Sequence, residues 1–319
     1  MSRIFIHPGA HKTGTSFIQE NLVANAAAFD KQGWRVIWLE KDFKKAKSDA
    51  VKVRGKRGAK VTKHLDSFFE EIKNDPRDVF LSHEGFLGSS SMEAGQIYPH
   101  HQAAIKVLKD NFPGRQIQIG FCIRNFADQA ESSYNSRVSR GKHERSFAKY
   151  AKNISPRKVS WLKIIEHLSD AFGADNLVLW TYEDFKKDGV GAFAKIVQSA
   201  GVDTADIAAV LTKPANVSLT IPQIQLLWAW NKAVRENLDL SHRDAKMIKE
   251  KLYKLLHTLP RTASSKGLLP EKKRRNLTAK YELEVAAIRE RWGHRMLNFD
   301  PPASAHQPPP QSDLPAVAG

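Results

Sequence analysis

Residues 7–16 combine the chemical groups that bind a phosphate or sulfate anion. Gly9 and Gly14 allow a tight turn and a close approach of the backbone, and Lys12 adds a positive charge. The segment also holds three hydroxyl groups, those of Thr13, Thr15 and Ser16. A short apolar run precedes it and a helical pattern follows, so the free N–H groups of a helix start are directed at the same anion. An ordinary strand-to-helix turn is the simpler alternative, but the lysine and the hydroxyl groups favour an anion site.

The order of these residues indicates which class of phosphate loop they form. In the loop of nucleoside triphosphatases, G-x-x-x-x-G-K-[ST], the lysine follows the second glycine. Lys12 instead precedes Gly14, and no Gly-Lys-Ser/Thr triplet follows. The order disfavours a nucleoside triphosphatase, and a P-loop kinase or another nucleotide-binding enzyme is kept as an alternative.

A second group of polar residues follows the apolar run at residues 117–123. Arg124 stands at the end of this predicted strand, where open α/β sheets bind ligands. Ser132 comes eight residues later on a predicted helix and can face the same anion. A salt bridge for Arg124 and a solvated position for Ser132 are the alternatives for each residue alone. Because Arg124 and Ser132 occur in the same chain as the loop around Lys12, we predict that they form a second anion-binding point.

These segments resemble the cofactor motifs of sulfotransferases of the bacterial type, which use 3′-phosphoadenosine 5′-phosphosulfate (PAPS). The loop around Lys12 is similar to their 5′-phosphosulfate loop, G-x-x-K-x-G-T-[ST]. Residues 124–134 are similar to their 3′-phosphate motif, R-[ND]-P-x-D-x-x-x-S-x-Y, with Phe126 in place of the proline. A third segment begins at Tyr182 and resembles a family segment whose tyrosine lies near the adenine. The resemblance covers roughly residues 3–225.

The resemblance implies PAPS as the sulfuryl donor, adenosine 3′,5′-bisphosphate (PAP) as the product and no required metal ion. Lys12 is then the lysine near the bridging oxygen and stabilises the leaving phosphate. The acceptor hydroxyl or amine must lose a proton to a general base. Family members carry this base on or just after a strand comparable to residues 79–81, so Glu84 and His83 are the candidates. We favour Glu84.

Two further expectations concern a second basic loop, from the same resemblance, and the acceptor, from the net charge. Lys266 and Gly267 are predicted to correspond to the basic loop that closes over the 3′-phosphate. The acceptor is predicted to be a glycan or glycolipid, because a formal net charge of +16 suits an anionic or large substrate. PAPS is itself anionic and accounts for part of that charge.

The elements that must position these residues follow from short apolar runs. Continuous apolar runs predict strands that are buried on both faces, with helices between them. The predicted strands are residues 4–6, 36–39, 79–81, 117–123 and 177–180. A helix is predicted over residues 155–172, with Ser155 as its N-cap and Gly173 at its end. The fold class is α/β, and the resemblance implies a P-loop-like three-layer fold with a central parallel sheet flanked by helices.

One sulfotransferase domain is predicted over residues 1–300. Its C-terminal part, about residues 219–298, is predicted to be helical. Residues 41–63 are rich in lysine and arginine and are predicted to form an exposed insertion. The Pro- and Ala-rich tail, residues 301–319, is predicted to be disordered.

Composition narrows the class of protein. A single cysteine excludes an internal disulfide, and no apolar run is long enough to span a membrane. The N-terminus enters a predicted strand at once, which is not typical of a signal peptide. These features predict a cytoplasmic protein. The positive charge also suits a non-enzymatic polyanion-binding protein, which is the second alternative, although no specific nucleic-acid motif is present.

Overall fold

The computed structural model of the protein describes residues 2–38, 69–88, 90, 92, 95–141, 145–208, 218–236, 240–260, 263–264 and 266–299. The predicted basic insertion, residues 41–63, and the predicted tail, residues 301–319, lie outside these ranges. The domain boundaries drawn from them remain predictions. No helix in the described ranges is both long and apolar enough to cross a membrane.

Five strands form one sheet, and all four neighbouring pairs are parallel. The strands are β1 Arg3–His7, β2 Trp34–Trp38, β3 Asp78–Ser82, β4 Gln116–Ile123 and β5 Leu177–Thr181, in the order β2-β3-β1-β4-β5. The register sets His7 opposite Ser82 and Ile123 opposite Thr181, so the segments that follow these strands leave the same edge. The predicted parallel α/β sheet is confirmed.

Eleven helices of four or more residues have their bounds within the described ranges. They are α1 Thr15–Ala24, α2 Ala26–Lys31, α3 His101–Asn111, α4 Phe126–Ser139, α5 Phe147–Ala151, α6 Leu162–Phe172, α7 Tyr182–Phe185, α8 Gly189–Ser199, α9 Ile221–Glu236, α10 His242–Thr258 and α11 Glu271–Trp292. Residues 69–73 are also helical, and two 3₁₀ turns cover Ala174–Asn176 and Gly293–Arg295. The helical content predicted for about residues 219–298 is present as α9, α10 and α11.

Two apolar cores lie on opposite faces of the sheet. On β1, Ile4 and Ile6 belong to one core and Phe5 to the other, because successive side chains of a strand point to opposite faces. Helices α3, α4, α6 and α11 contribute to the first core. Helices α1 and α8 contribute to the second. The sheet is therefore covered on both faces, which explains why its strands are continuously apolar.

The helix predicted over residues 155–172 begins later than the sequence pattern indicates. Helix α6 starts at Leu162, whereas its end before Gly173 is as predicted. The N–H groups of Trp161 and Leu162 both donate to a carboxylate oxygen of Glu284, at 2.7 and 3.3 Å. Glu284, which lies on α11 and 123 residues after Trp161, therefore accepts the hydrogen bonds of the N–H groups at the helix start. Ser155 was predicted to be the cap of this helix.

Candidate functional site

The loop between β1 and α1 adopts a backbone that favours glycine. Gly9 has φ +43° and Gly14 has φ +83°. Lys12, which carries a side chain, also has a positive φ of +69°. Left-handed backbone is uncommon for such a residue and marks a constrained turn. The loop therefore wraps tightly around the start of α1.

Thr15 begins α1 and leaves a polar group without a partner in this loop. Its hydroxyl oxygen is buried, and no hydrogen-bond partner for it exists among the described residues. A β-carbon at Gly9 would lie 3.0 Å from that oxygen, so only glycine leaves the space open. The N–H groups of the first helical turn also lack intrahelical partners. An anion of phosphate size would satisfy these donors together.

The side chains of Tyr98 and Gln129 form hydrogen bonds with the backbone of the loop. The N–H of His11 donates to the Tyr98 hydroxyl at 2.8 Å, and the Gln129 amide donates to the His11 carbonyl at 2.9 Å. Both side chains are fully buried. Their contacts fix the loop backbone independently of any ligand.

Arg124 lies between the loop and the segment after β5. Its guanidinium donates to the carbonyl of Lys12 and stands 4.5 Å from the centre of the Tyr182 ring. Its own carbonyl accepts a hydrogen bond from the Trp161 indole at 2.8 Å. Arg124 thereby connects the phosphate loop with the aromatic residue predicted to lie near adenine.

Asn125 orients the start of α4, the helix that carries Ser132. Its side-chain oxygen accepts from the N–H of Ala127 at 2.9 Å, which is an N-cap contact. Its backbone N–H donates to Glu183 at 3.0 Å. Phe126, which replaces the family proline, is buried and stacks on Trp161 with ring centres 5.7 Å apart. The departure from the family pattern therefore contributes to the core and leaves the cap intact.

A cleft of about 700 Å³ opens at this edge of the sheet. Eight of the residues that the sequence singles out line it: Lys12, Gly14, Thr15, Ser16, Glu84, Arg124, Ser132 and Tyr182. They come from four separate segments of the chain. The fold thus brings together residues that are up to 170 positions apart, since Lys12 and Tyr182 share the cleft.

Four predicted site residues do not line this cleft. The Thr13 hydroxyl is buried and donates to the Ala10 carbonyl inside the loop. Lys266 pairs with Asp128, and the N–H of Gly267 donates to Glu131 at 3.2 Å, so both contact the first half of α4. The fourth, His83, is described with the base below. The roles predicted for these residues remain predictions.

The two candidate bases differ in their surroundings. His83 accepts a hydrogen bond from the N–H of Gly85 through Nδ1, at 2.9 Å. That bond occupies the lone pair of Nδ1 and sets the proton of the neutral ring on Nε2. Glu84 lines the cleft, and its carboxylate has no hydrogen bond or ion pair within the described ranges. Its lone pairs are available to a ligand.

The electrostatic environment of Lys12 combines burial with opposing charges. Burial, followed by the positive charge of Arg140, lowers the pKa of Lys12 below its ordinary value, and the charge of Glu84 partly opposes this. Desolvation and like charge both disfavour a protonated amine. An anion bound beside Lys12 would remove that disadvantage. In the described part of the chain, no group of three or more His, Cys, Asp or Glu side chains is arranged to hold a metal ion.

Part of the cleft lining was not predicted from the sequence. Asn135, Ser136, Ser139, Arg140 and Tyr253 line the cleft beyond Ser132. The first four lie three, four, seven and eight residues after Ser132, which is the spacing of one helix face. That periodicity was the available signal in the sequence. Tyr253 comes from α10 and had none.

Comparison with known proteins identifies the family of this chain. A family model described as the sulfotransferase domain matches residues 3–213. A sulfotransferase from Alicyclobacillus acidocaldarius aligns over 77% of this chain and 99% of its own, with 16% identity and a TM-score of 0.42. Mouse sulfotransferase SULT7A1, solved with PAP, aligns over 89% and 84%, with 15% identity and a TM-score of 0.39. No curated protein matches the sequence significantly. Because the family model spans about two thirds of the chain, the protein belongs to the sulfotransferase domain family.

Proposed function

We propose that the protein transfers the sulfuryl group of PAPS to a hydroxyl or amine of an acceptor. The observation that carries the proposal is the shared cleft, which joins the loop around Lys12, the Arg124–Ser132 pair and Tyr182. These are the residues that the family motifs assign to the two ends of the cofactor. The buried, unpartnered Thr15 hydroxyl oxygen fits an anion in the loop.

In this proposal, the cofactor lies across the edge of the sheet. The loop around Lys12 and Thr15 holds the 5′-phosphosulfate, and Arg124 with Ser132 holds the 3′-phosphate. The Tyr182 ring lies 4.5 Å from the Arg124 guanidinium, which suits an adenine placed beside both groups. Positive charge from the protein replaces a divalent metal in this arrangement.

The chain's own residues then perform the chemistry. Bound PAPS supplies an activated sulfuryl group. Glu84 accepts the proton of the acceptor hydroxyl as its oxygen bonds to sulfur, and Lys12 stabilises the negative charge on the phosphate oxygen released from sulfur. Positioning and charge stabilisation dominate transfers of this type. The step thus forms one oxygen–sulfur bond to the acceptor, breaks the bond between sulfur and the leaving phosphate, and moves one proton to Glu84.

The acceptor class belongs to the same proposal. A hydroxyl-rich glycan or glycolipid fits the hydroxyl, amide and guanidinium groups that line the cleft beyond Ser132. The formal net charge of +16 favours an anionic acceptor of this kind.

A ligand titration in EDTA tests the cofactor assignment. Wild-type protein should bind PAP without divalent metal, and the affinity should survive moderate salt. Lys12→Ala removes a charge-assisted contact worth about 1.5–3 kcal/mol, which lowers the affinity about ten- to hundredfold. Lys31→Ala is the matched control, because Lys31 is exposed and outside the cleft lining. Transfer of ³⁵S from labelled PAPS to a glycan acceptor measures the activity itself.

Three results would contradict the proposal. Tighter binding of ATP·Mg²⁺ than of PAP would favour the kinase alternative. If added salt weakened the binding of PAP and the binding of heparin equally steeply, the result would favour a polyanion-binding protein. Equal PAP affinity in the Lys12→Ala and Lys31→Ala variants would remove Lys12 from the site.

A further inference from the structure

The cleft-facing side of α4 continues beyond Ser132 as a polar stripe. Asn135, Ser136, Ser139 and Arg140 all line the cleft. One face of this helix therefore presents an amide, two hydroxyls and a guanidinium to the same space. None of these residues belongs to the motifs that define the proposed cofactor site.

Two members of the stripe have polar groups that the protein leaves without partners. Asn135 is only 7% exposed. Its side-chain oxygen is buried and has no hydrogen-bond partner in the described ranges. An unpaired buried acceptor is unfavourable, and a donor from a bound molecule would satisfy it. Arg140 is exposed, and its guanidinium has no ion pair or hydrogen bond to any described residue. The stripe is a polar surface that no contact inside the described chain explains.

The position of Arg140 separates it from the proposed 3′-phosphate site. It lies eight residues after Ser132, and a rise of 1.5 Å per residue sets the two about 12 Å apart along the helix. Arg140 lines the same cleft as Lys12, and burial together with the positive charge of Arg140 lowers the pKa of Lys12. Glu84, the favoured base, also acts on Lys12. The stripe thus shares one cleft with Lys12 and Glu84, the two residues that the acceptor must meet.

The chemistry of the stripe specifies the kind of acceptor. A guanidinium binds carboxylate or sulfate through two parallel hydrogen bonds, and this is its preferred contact. The hydroxyls of Ser136 and Ser139 and the Asn135 amide donate to and accept from sugar hydroxyls. The aromatic ring of Tyr253 adds a surface against which a pyranose face can pack.

We propose that Asn135, Ser136, Ser139 and Arg140 form an acceptor subsite for an acidic saccharide, whose carboxylate or sulfate pairs with Arg140. The inference rests on the proposed function, since it assigns the acceptor side of the same cleft. Arg140 also lies at the C-terminal end of α4, where a cation interacts favourably with the helix dipole. A purely structural role of that kind would not discriminate between acceptors, which makes the subsite testable.

The experiment measures saccharide binding by PAP-saturated protein. The probes are an unsulfated chondroitin tetrasaccharide, its carboxyl-reduced neutral form, and the carboxyl-reduced form after O-sulfation. Wild-type protein should bind at least one anionic probe ten or more times more tightly than the neutral one, and the preferred probe identifies the anion. Arg140→Gln should abolish this preference, and Arg140→Lys should restore part of it. Arg157→Gln is the matched control, because Arg157 is also exposed but lies outside the cleft lining.

Several outcomes would overturn the inference. They are equal or unmeasurable binding of all three probes, a preference that survives in Arg140→Gln, and an equal loss of preference in Arg157→Gln. A tenfold loss of PAP affinity in Arg140→Gln would assign Arg140 to the cofactor and would also overturn it. PAP affinity is titrated separately, so wild-type protein that binds PAP without a saccharide preference contradicts this inference alone. Failure to bind PAP contradicts the proposed function.

Discussion

A β-carbon on Gly14 would lie 2.4 Å from Cε1 of the Phe185 ring. The phosphate loop and the end of α7 therefore touch at a point where no side chain larger than hydrogen fits. Phe185 is 4% exposed and is part of the core that also holds Phe5. The contact joins the loop around Lys12 to the segment that carries Tyr182.

This contact predicts that Gly14→Ala is more damaging than an ordinary glycine substitution. Gly33 has a similar φ of +73° with no atom within 4 Å of an added β-carbon, so Gly33→Ala is the matched control. Both variants should lose about 1–2 kcal/mol of unfolding free energy from the left-handed backbone. Gly14→Ala should lose about 1–3 kcal/mol more from the clash with Phe185, and should also weaken PAP binding. Denaturant unfolding and PAP titration measure the two effects, and equal destabilisation by both substitutions would contradict this account.

Arg124 should discriminate PAP from adenosine 5′-monophosphate. Arg124→Ala also loses the hydrogen bond to the Lys12 carbonyl, so its affinity for both ligands should fall. The ratio of the two dissociation constants isolates the contribution of the 3′-phosphate to the affinity. Wild-type protein should prefer PAP strongly, and Arg124→Ala should lose about ten- to hundredfold of that preference, as expected for a charge-assisted contact. An unchanged ratio in the variant would mean that another residue recognises the 3′ group.

Glu84→Gln should separate catalysis from cofactor binding. The amide keeps the shape of the carboxylate but cannot accept a proton, and general-base contributions are about 10²–10⁴-fold. PAP affinity should therefore stay normal while kcat falls at least about a hundredfold. His83→Ala is the comparison, because His83 Nδ1 is already bonded to Gly85. A normal kcat in Glu84→Gln together with a lost kcat in His83→Ala would transfer the role to His83. Normal rates in both variants would direct the search to His11.

His7 should make stability depend on pH. Burial lowers the pKa of His7 to about 3, from 6.5 in the exposed state. Between these values the unfolded chain binds a proton that the folded chain excludes, so stability is lost as the pH falls below 6.5. The slope from this group is at most about 1.4 kcal/mol per pH unit. Unfolding free energies measured from pH 7 to pH 4 should show a smaller slope in His7→Gln. His294→Gln, at an exposed histidine, should keep the wild-type slope, and identical slopes in all three proteins would contradict the assignment.

All five strands could be predicted because their signal is local. A strand covered on both faces is apolar at consecutive positions, and the runs at residues 4–6 and 117–123 fall inside β1 and β4. The start of α6 could not be predicted in this way. Its first N–H groups bind Glu284, a residue of α11, and no local pattern contains that contact.

The sequence by itself determined the parallel sheet, the position of the glycine-containing loop around Lys12 and the candidates Arg124, Ser132 and Glu84. Each depends on residue types at short spacing. Only the tertiary structure decided that Thr13 is used inside the loop, that Lys266 pairs with Asp128 and that Arg140 lines the same cleft as Lys12. The physical reason is that backbone preference and apolar periodicity act between near neighbours along the chain. Hydrogen bonds, ion pairs and desolvation in the cleft depend on which distant segments the fold brings together.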